Sequence, residues 1–129
     1  MDVGKLRILA FVYLILLFLM TVVPLGPLNA TLNDNYTLHI RWDYLLHTFV
    51  YLPLPIMLGV AITKQQKGFW FRVLALALLM TISFELLQKL LPYRSFNIND
   101  MVANGVGAIL GTILLVAFRR YLSERWFSA

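Results

Sequence analysis

Apolar residues run along this chain in four long blocks, 8–28, 44–63, 70–91 and 100–118, separated by short stretches where charges and turn formers gather. A helix needs roughly 20 apolar residues to cross a bilayer, and every block meets that length. The first block carries no charge at all, and His47 is the sole interruption of the second. In the third and fourth, most polar residues collect toward one end. The pattern predicts an all-α membrane protein, one domain over residues 1–129, built as a bundle of four transmembrane helices.

Composition agrees. The chain is 60% hydrophobic and 13% charged, too apolar and too weakly charged for a water-soluble domain of this length. It has no cysteine, which excludes disulfides, thiolate metal sites and a cysteine nucleophile. Net charge is +5, but Lys and Arg lie in the short segments between apolar blocks. That placement speaks for membrane topology and against nucleic acid as a partner.

Lys5, Arg7, Lys64, Lys67, Arg72, Arg119, Arg120 and Arg125 fall on one side of the predicted bundle, and Arg41, Lys89 and Arg94 on the other. By the positive-inside rule both termini are cytoplasmic and the segments 29–42 and 92–99 face outward, in the multi-pass topology of a bacterial cytoplasmic membrane protein. Lys5 and Arg7 resemble the start of a signal peptide, yet the apolar block that follows exceeds the usual ~7–15 residues. Near Ala30, Leu28 stands where a cleavage site wants a small residue, so the first helix is expected to be retained. Trp42, Tyr44, Trp70, Tyr93 and Trp126 lie near block ends, where amphipathic rings prefer the headgroup layer. Asn29 and Asn35 each open an Asn-x-Thr triplet of the glycosylation type, a short pattern with nothing beside it that indicates a glycosylating pathway.

The polar residues inside the blocks share one depth. Glu85 lies about six residues, roughly 9 Å, from the outer end of the third helix, and Gln88 follows on the same face. The outer end of the second helix carries Asp43 and His47, and that of the fourth carries Asp100 and Asn104, each pair spaced i, i+4. An ionisable group in a membrane normally faces the bundle interior or a water-filled cavity, so these six define an outward-facing polar cleft. Glu85 has His47, Arg94 and Lys89 as expected partners. Asp100, Asn104, Gly107 and Gly111 form one narrow stripe, and Gly107-x-x-x-Gly111 permits close helix approach, within the bundle or to a second copy of the chain. Pro53 and Pro55 are expected to kink the second helix below His47.

Read together, "WDYLLHTFVY" (42–51), "FELLQKLLPYRSFNINDMVANGVGAILG" (84–111) and the four spans resemble the VanZ-like family. The resemblance covers roughly residues 40–115. It rests on Asp43-x-x-x-His47, Glu85-x-x-Gln88, Arg94 in the following loop, and Asp100-x-x-x-Asn104-x-x-Gly107. Many members carry a Lys directly after the first Asp, where this chain has Tyr44; if that Lys contacts an anionic ligand, either Arg41 substitutes for it here or the ligand differs. The family's namesake is associated with low-level resistance to the glycopeptide teicoplanin, without alteration of the peptidoglycan precursor. The resemblance thus implies a cell-envelope role.

Three readings follow. In the first, the cleft binds an envelope lipid, a lipid-linked cell-wall precursor or a lipoglycopeptide antibiotic. Arg94 and Arg41 then meet phosphate or carboxylate, while Asp43, His47, Glu85, Gln88, Asp100 and Asn104 line the cleft. In the second, Glu85 and His47 perform acid–base chemistry on a lipid headgroup. In the third, the bundle is a structural partner of another membrane protein. The bland counterparts are an interhelical clamp for Glu85 and Gln88, a carbonyl-bonded His47, headgroup contact for Arg94, and helix capping for Asp43 and Asp100. His47, Glu85, Asp43 and Asp100 are ligand types for a divalent ion, but no single stretch has metal-ligand spacing. Neither a metal nor an organic cofactor is expected.

Overall fold

The computed structural model describes residues 3–24, 26, 28, 31, 34–62, 66–118 and 121. Asn29, Ala30, Lys64, Arg119, Arg120, Arg125 and Trp126 lie outside the described residues. Helix α1 spans Val3–Val22, α2 Trp42–Tyr51, α3 Pro53–Ala61, α4 Phe69–Lys89 and α5 Ile98–Ala117, with a two-stranded hairpin, β1 Tyr36–Thr37 and β2 Ile40–Arg41, ahead of α2. Taking α2 and α3 as one path, four helices are long and apolar enough to cross a membrane.

The first span differs from the expectation of 8–28: its helix begins at Val3 and ends at Val22. Lys5 and Arg7 are therefore helical, and Pro24 follows the helix end, as a residue that cannot continue the ladder commonly does. The second span is interrupted below His47, at the two prolines. Pro53 and Pro55 remove two amide donors, and the ladder is interrupted at Leu52, whose backbone nonetheless stays right-handed helical at φ −58°, ψ −42°. The Tyr13 hydroxyl of α1 donates to the Val50 carbonyl beside that interruption.

Burial is inverted relative to a soluble protein. Thr21, Asp43, Thr81, Glu85, Gln88, Asp100, Asn104 and Thr112 are buried, while Ile8, Phe11, Phe49, Phe71, Leu79 and Ile113 are exposed. That arrangement suits lipid as the surrounding solvent, where apolar surface is cheap and an unpaired polar group is not. The second span is central: it packs against α1, α4 and α5. Its contact with α5 depends on glycine. A Cβ on Gly107 would lie 2.3 Å from the Thr48 carbonyl oxygen, and one on Gly111 would lie 1.9 Å from that of Leu52. The glycine stripe is thus occupied within the chain. The Thr48 hydroxyl adds a polar link, 2.9 Å from the Tyr44 carbonyl and 3.2 Å from that of Ala103.

The hairpin pairs Tyr36 with Arg41 and Thr37 with Ile40. Its two turn residues, Leu38 and His39, have φ of 51° and 64°, as a primed two-residue turn requires. The Trp42 indole N–H donates to the Thr37 hydroxyl at 2.6 Å. The hairpin therefore holds Arg41 and the first turn of α2 in place.

Candidate functional site

Four helix ends meet on one side of the bundle: the C-termini of α1 and α4 and the N-termini of α2 and α5. Between them lies a cavity of about 320 Å³. Its polar wall includes Asp43, His47, Gln88, Arg94, Asp100 and Asn104; its apolar wall includes Leu17, Met20, Leu46, Val50 and Pro92. The helix ends explain the charge pattern. The partly positive N-termini of α2 and α5 carry the two aspartates, and the partly negative C-terminus of α1 faces Arg94. The Arg94 guanidinium donates to the carbonyls of Met20 and Val23, which have no partner within the helix ladder.

His47 stands between the aspartates. Its Nε2 is 3.5 Å from Asp43 Oδ1 and 3.9 Å from Asp100 Oδ2, and its Nδ1 is 2.8 Å from Asn104 Oδ1. Among the described residues its ring nitrogens bond no backbone carbonyl, including one freed by Pro53. Each aspartate has a further neighbour. Arg41 approaches Asp43 Oδ2 at 3.4 Å, and the Asn97 amide group donates to Asp100 Oδ1 at 3.0 Å. Arg41 also donates to the Tyr44 hydroxyl at 3.0 Å, with its guanidinium 4.7 Å from the Tyr44 ring centroid. Tyr44 and Arg41 together form the rim where many family members, on the resemblance above, place a lysine.

Capping falls to neither aspartate. Arg41 occupies the N-cap of α2, its side chain making no capping bond to the first amides of the helix, and Asn97 caps α5 by accepting from the Asn99 amide at 3.0 Å. The reason is position: both aspartates already lie inside the first turn, where a carboxylate interacts with the helix dipole but no longer serves as the flanking residue.

Glu85 also departs from its expected place. It is 1% exposed and stands behind the cavity wall. Its Oε1 accepts the Asn97 backbone N–H at 3.2 Å, and among the described residues it has no direct ion-pair partner. Lys89 instead lies 5.8 Å over the Phe96 ring. Gln88 does reach the cavity and donates to the Thr21 carbonyl at 3.4 Å. Glu85 thus tethers the segment between α4 and α5, while Gln88 ties α4 to α1.

The structure brings Asp43, His47, Gln88, Arg94, Asp100 and Asn104 together and leaves Glu85 one layer behind. Sequence reasoning missed Asn97, although an Asn directly before a helix start is a recognised capping signal. It also missed the apolar wall from α1, for which the uniform block 8–28 offers no signal. As possible metal ligands, Asp43, His47 and Asp100 offer one atom each within 4.8 Å of one another.

A family model described as VanZ/LLP1 matches residues 10–119. No curated protein and no solved structure matches the chain.

Proposed function

The chain belongs to the VanZ/LLP1 family, and from that premise we propose that its cavity binds an envelope amphiphile with an anionic headgroup. The observation that carries this is the division of one cavity into a polar wall and an apolar wall. Arg94 and His47 meet the headgroup, and Leu17, Leu46 and Val50 meet the first carbons of the chain. At about 320 Å³ the cavity is near the lower bound of ligand pockets. It suits a phosphate-bearing headgroup and part of one chain, as in a membrane lipid or a lipid-linked cell-wall precursor. A lipoglycopeptide antibiotic would enter only by its acyl chain, so any teicoplanin-type protection runs through the same amphiphile site.

Orientation follows from charge. Lys5, Arg7, Lys67 and Arg72 lie at the end of the bundle opposite the cavity, so in a bacterial cytoplasmic membrane the cavity opens outward. A pair of copies associating through the last helix would use its exposed Val102, Ile109 and Ile113, because Gly107 and Gly111 are already covered.

The test is purification of the full chain from bacterial membranes in mild detergent, with mass spectrometry of the lipids that remain bound. Wild type is expected to retain a phosphate-bearing amphiphile, and Arg94→Ala and His47→Ala to lose it at equal membrane abundance. Identical lipid profiles in all three would reject the cavity as the binding site. Inhibitory concentrations of teicoplanin in a susceptible Gram-positive host carrying the same variants give the biological readout. Acid–base chemistry on the headgroup is the second reading, favoured by His47 standing between two carboxylates. It predicts a cleaved headgroup when wild type is incubated with the retained lipid.

A further inference from the structure

An anionic headgroup entering a cavity that already holds two aspartates needs positive charge close to them. The triad at the polar wall is arranged to supply it, and we propose that Asp43, His47 and Asp100 hold a divalent cation of the Zn²⁺ or Mn²⁺ type, with open coordination positions facing the cavity.

Each ligand is anchored on its far side. Asp43 Oδ2 faces Arg41 at 3.4 Å, Asp100 Oδ1 accepts from Asn97 at 3.0 Å, and His47 Nδ1 meets Asn104 Oδ1 at 2.8 Å. An amide oxygen only accepts, so the hydrogen on this imidazole belongs on Nδ1 and the Nε2 lone pair points inward. Asn104 is 1% exposed and therefore holds that ring orientation from within the core. Three lone-pair atoms are left facing one another: His47 Nε2 lies 3.5 Å from Asp43 Oδ1 and 3.9 Å from Asp100 Oδ2.

Those separations are long for charge-assisted hydrogen bonds, which prefer about 2.7–2.9 Å. They fit a shared ion about 2.0–2.2 Å from each ligand after a small closing movement. Neighbours that hold each ligand's far atom and so fix its orientation are what metal sites characteristically carry. The imidazole favours Zn²⁺ over an all-oxygen site of the Ca²⁺ or Mg²⁺ type, and the two carboxylates also admit Mn²⁺. Because all three residues also line the cavity, the remaining coordination positions open toward a ligand. Bridging of the ion to a phosphate oxygen, with Arg94 on the other side, rests on the reading proposed above; the ion site itself does not.

The sequence offered no metal motif because its i, i+4 pair, Asp43 and His47, finds its third ligand on another helix. Residue Asn104 is a positioning residue here, acting on the ion through His47.

The experiment strips the purified full chain with EDTA, adds ZnCl₂ or MnCl₂, and measures bound metal after gel filtration. Affinity is read by competition with a chromophoric chelator, and folding by circular dichroism. Wild type is expected to retain one ion per chain. D100N and D43N each weaken binding tenfold or more with unchanged helicity. N104A weakens it about 10–100-fold, and N104D, which restores an acceptor oxygen, recovers most of the loss. The other histidine of the chain, His39, is exposed on the hairpin, so H39A leaves affinity unchanged. No retained ion in folded wild type, or affinity lost in H39A, overturns the proposal. Bound lipid is quantified in the same samples with and without metal. An ion without lipid removes the amphiphile reading and keeps the site, whereas lipid without an ion does the reverse.

Discussion

At the end where α2 and α5 begin, the space between helices is filled by Asp43, Gln88, Asp100, Asn104 and, one layer behind, Glu85. At the other end it is closed by Leu58, Phe69, Val73 and Leu115, with Ala77 between the two. In a membrane these halves are held by different forces. Apolar side chains gain little by leaving lipid for the bundle interior, so the apolar half depends on close packing and shape. The polar half offers interhelical hydrogen bonds worth about 0.6–2 kcal/mol each. A serine or an asparagine would provide those without the cost of placing carboxylates at membrane depth. The excess of ionisable groups at one end is therefore what the proposed binding role accounts for, and the glycine contact between the halves accounts for stability.

The largest effect is expected where the two halves are joined. Gly111→Leu places a side chain where even a Cβ would be 1.9 Å from the Leu52 oxygen, and the folded bundle should be lost, seen as low membrane abundance. Gly107→Ala is milder, about 2–3 kcal/mol by thermal or denaturant unfolding in detergent. A wild-type melt for either variant would show that the second and fourth spans do not need this approach.

Arg94→Ala tests the polar half from its rim. It leaves the Met20 and Val23 carbonyls without their guanidinium donor, at a cost of about 1–2 kcal/mol, and should also abolish lipid retention. Stability lost with retention intact would reduce Arg94 to a helix cap.

Glu85→Gln sharpens the division further. It keeps an oxygen acceptor for the Asn97 N–H, so unfolding should move by about 0.5 kcal/mol or less and the lipid should stay bound. Glu85→Leu removes the acceptor and should cost about 1–2 kcal/mol. Loss of lipid in the Gln variant at unchanged stability would transfer Glu85 from tethering to ligand recognition. The smallest effect is expected for Phe71→Ala, a residue 76% exposed, at under about 0.5 kcal/mol. A larger loss of stability or function there would reveal a protein partner on the lipid-facing side, as the structural-partner reading requires.

Much of this was legible in the chain itself. Four apolar blocks determine four spans because a bilayer demands a fixed length of uninterrupted apolar helix. The family was legible as well, in the order and spacing of Asp43, His47, Glu85, Gln88, Asp100 and Asn104. The shared depth of those residues also followed from sequence, since helical rise converts position into depth. Which face of each helix meets which neighbour did not. In a block such as 8–28 every face is apolar, so the pattern carries no azimuth, and the contribution of Leu17 and Met20 to the cavity came only from packing. The separation of Glu85 from the cavity had the same origin. It depends on the path of residues 92–97, which brings the Asn97 amide to the Glu85 carboxylate. The Asp43–His47–Asp100 triad was likewise a tertiary decision. Its ligands come from two helices whose contact is permitted by glycines at positions 107 and 111, and no spacing along one helix encodes the distance between two.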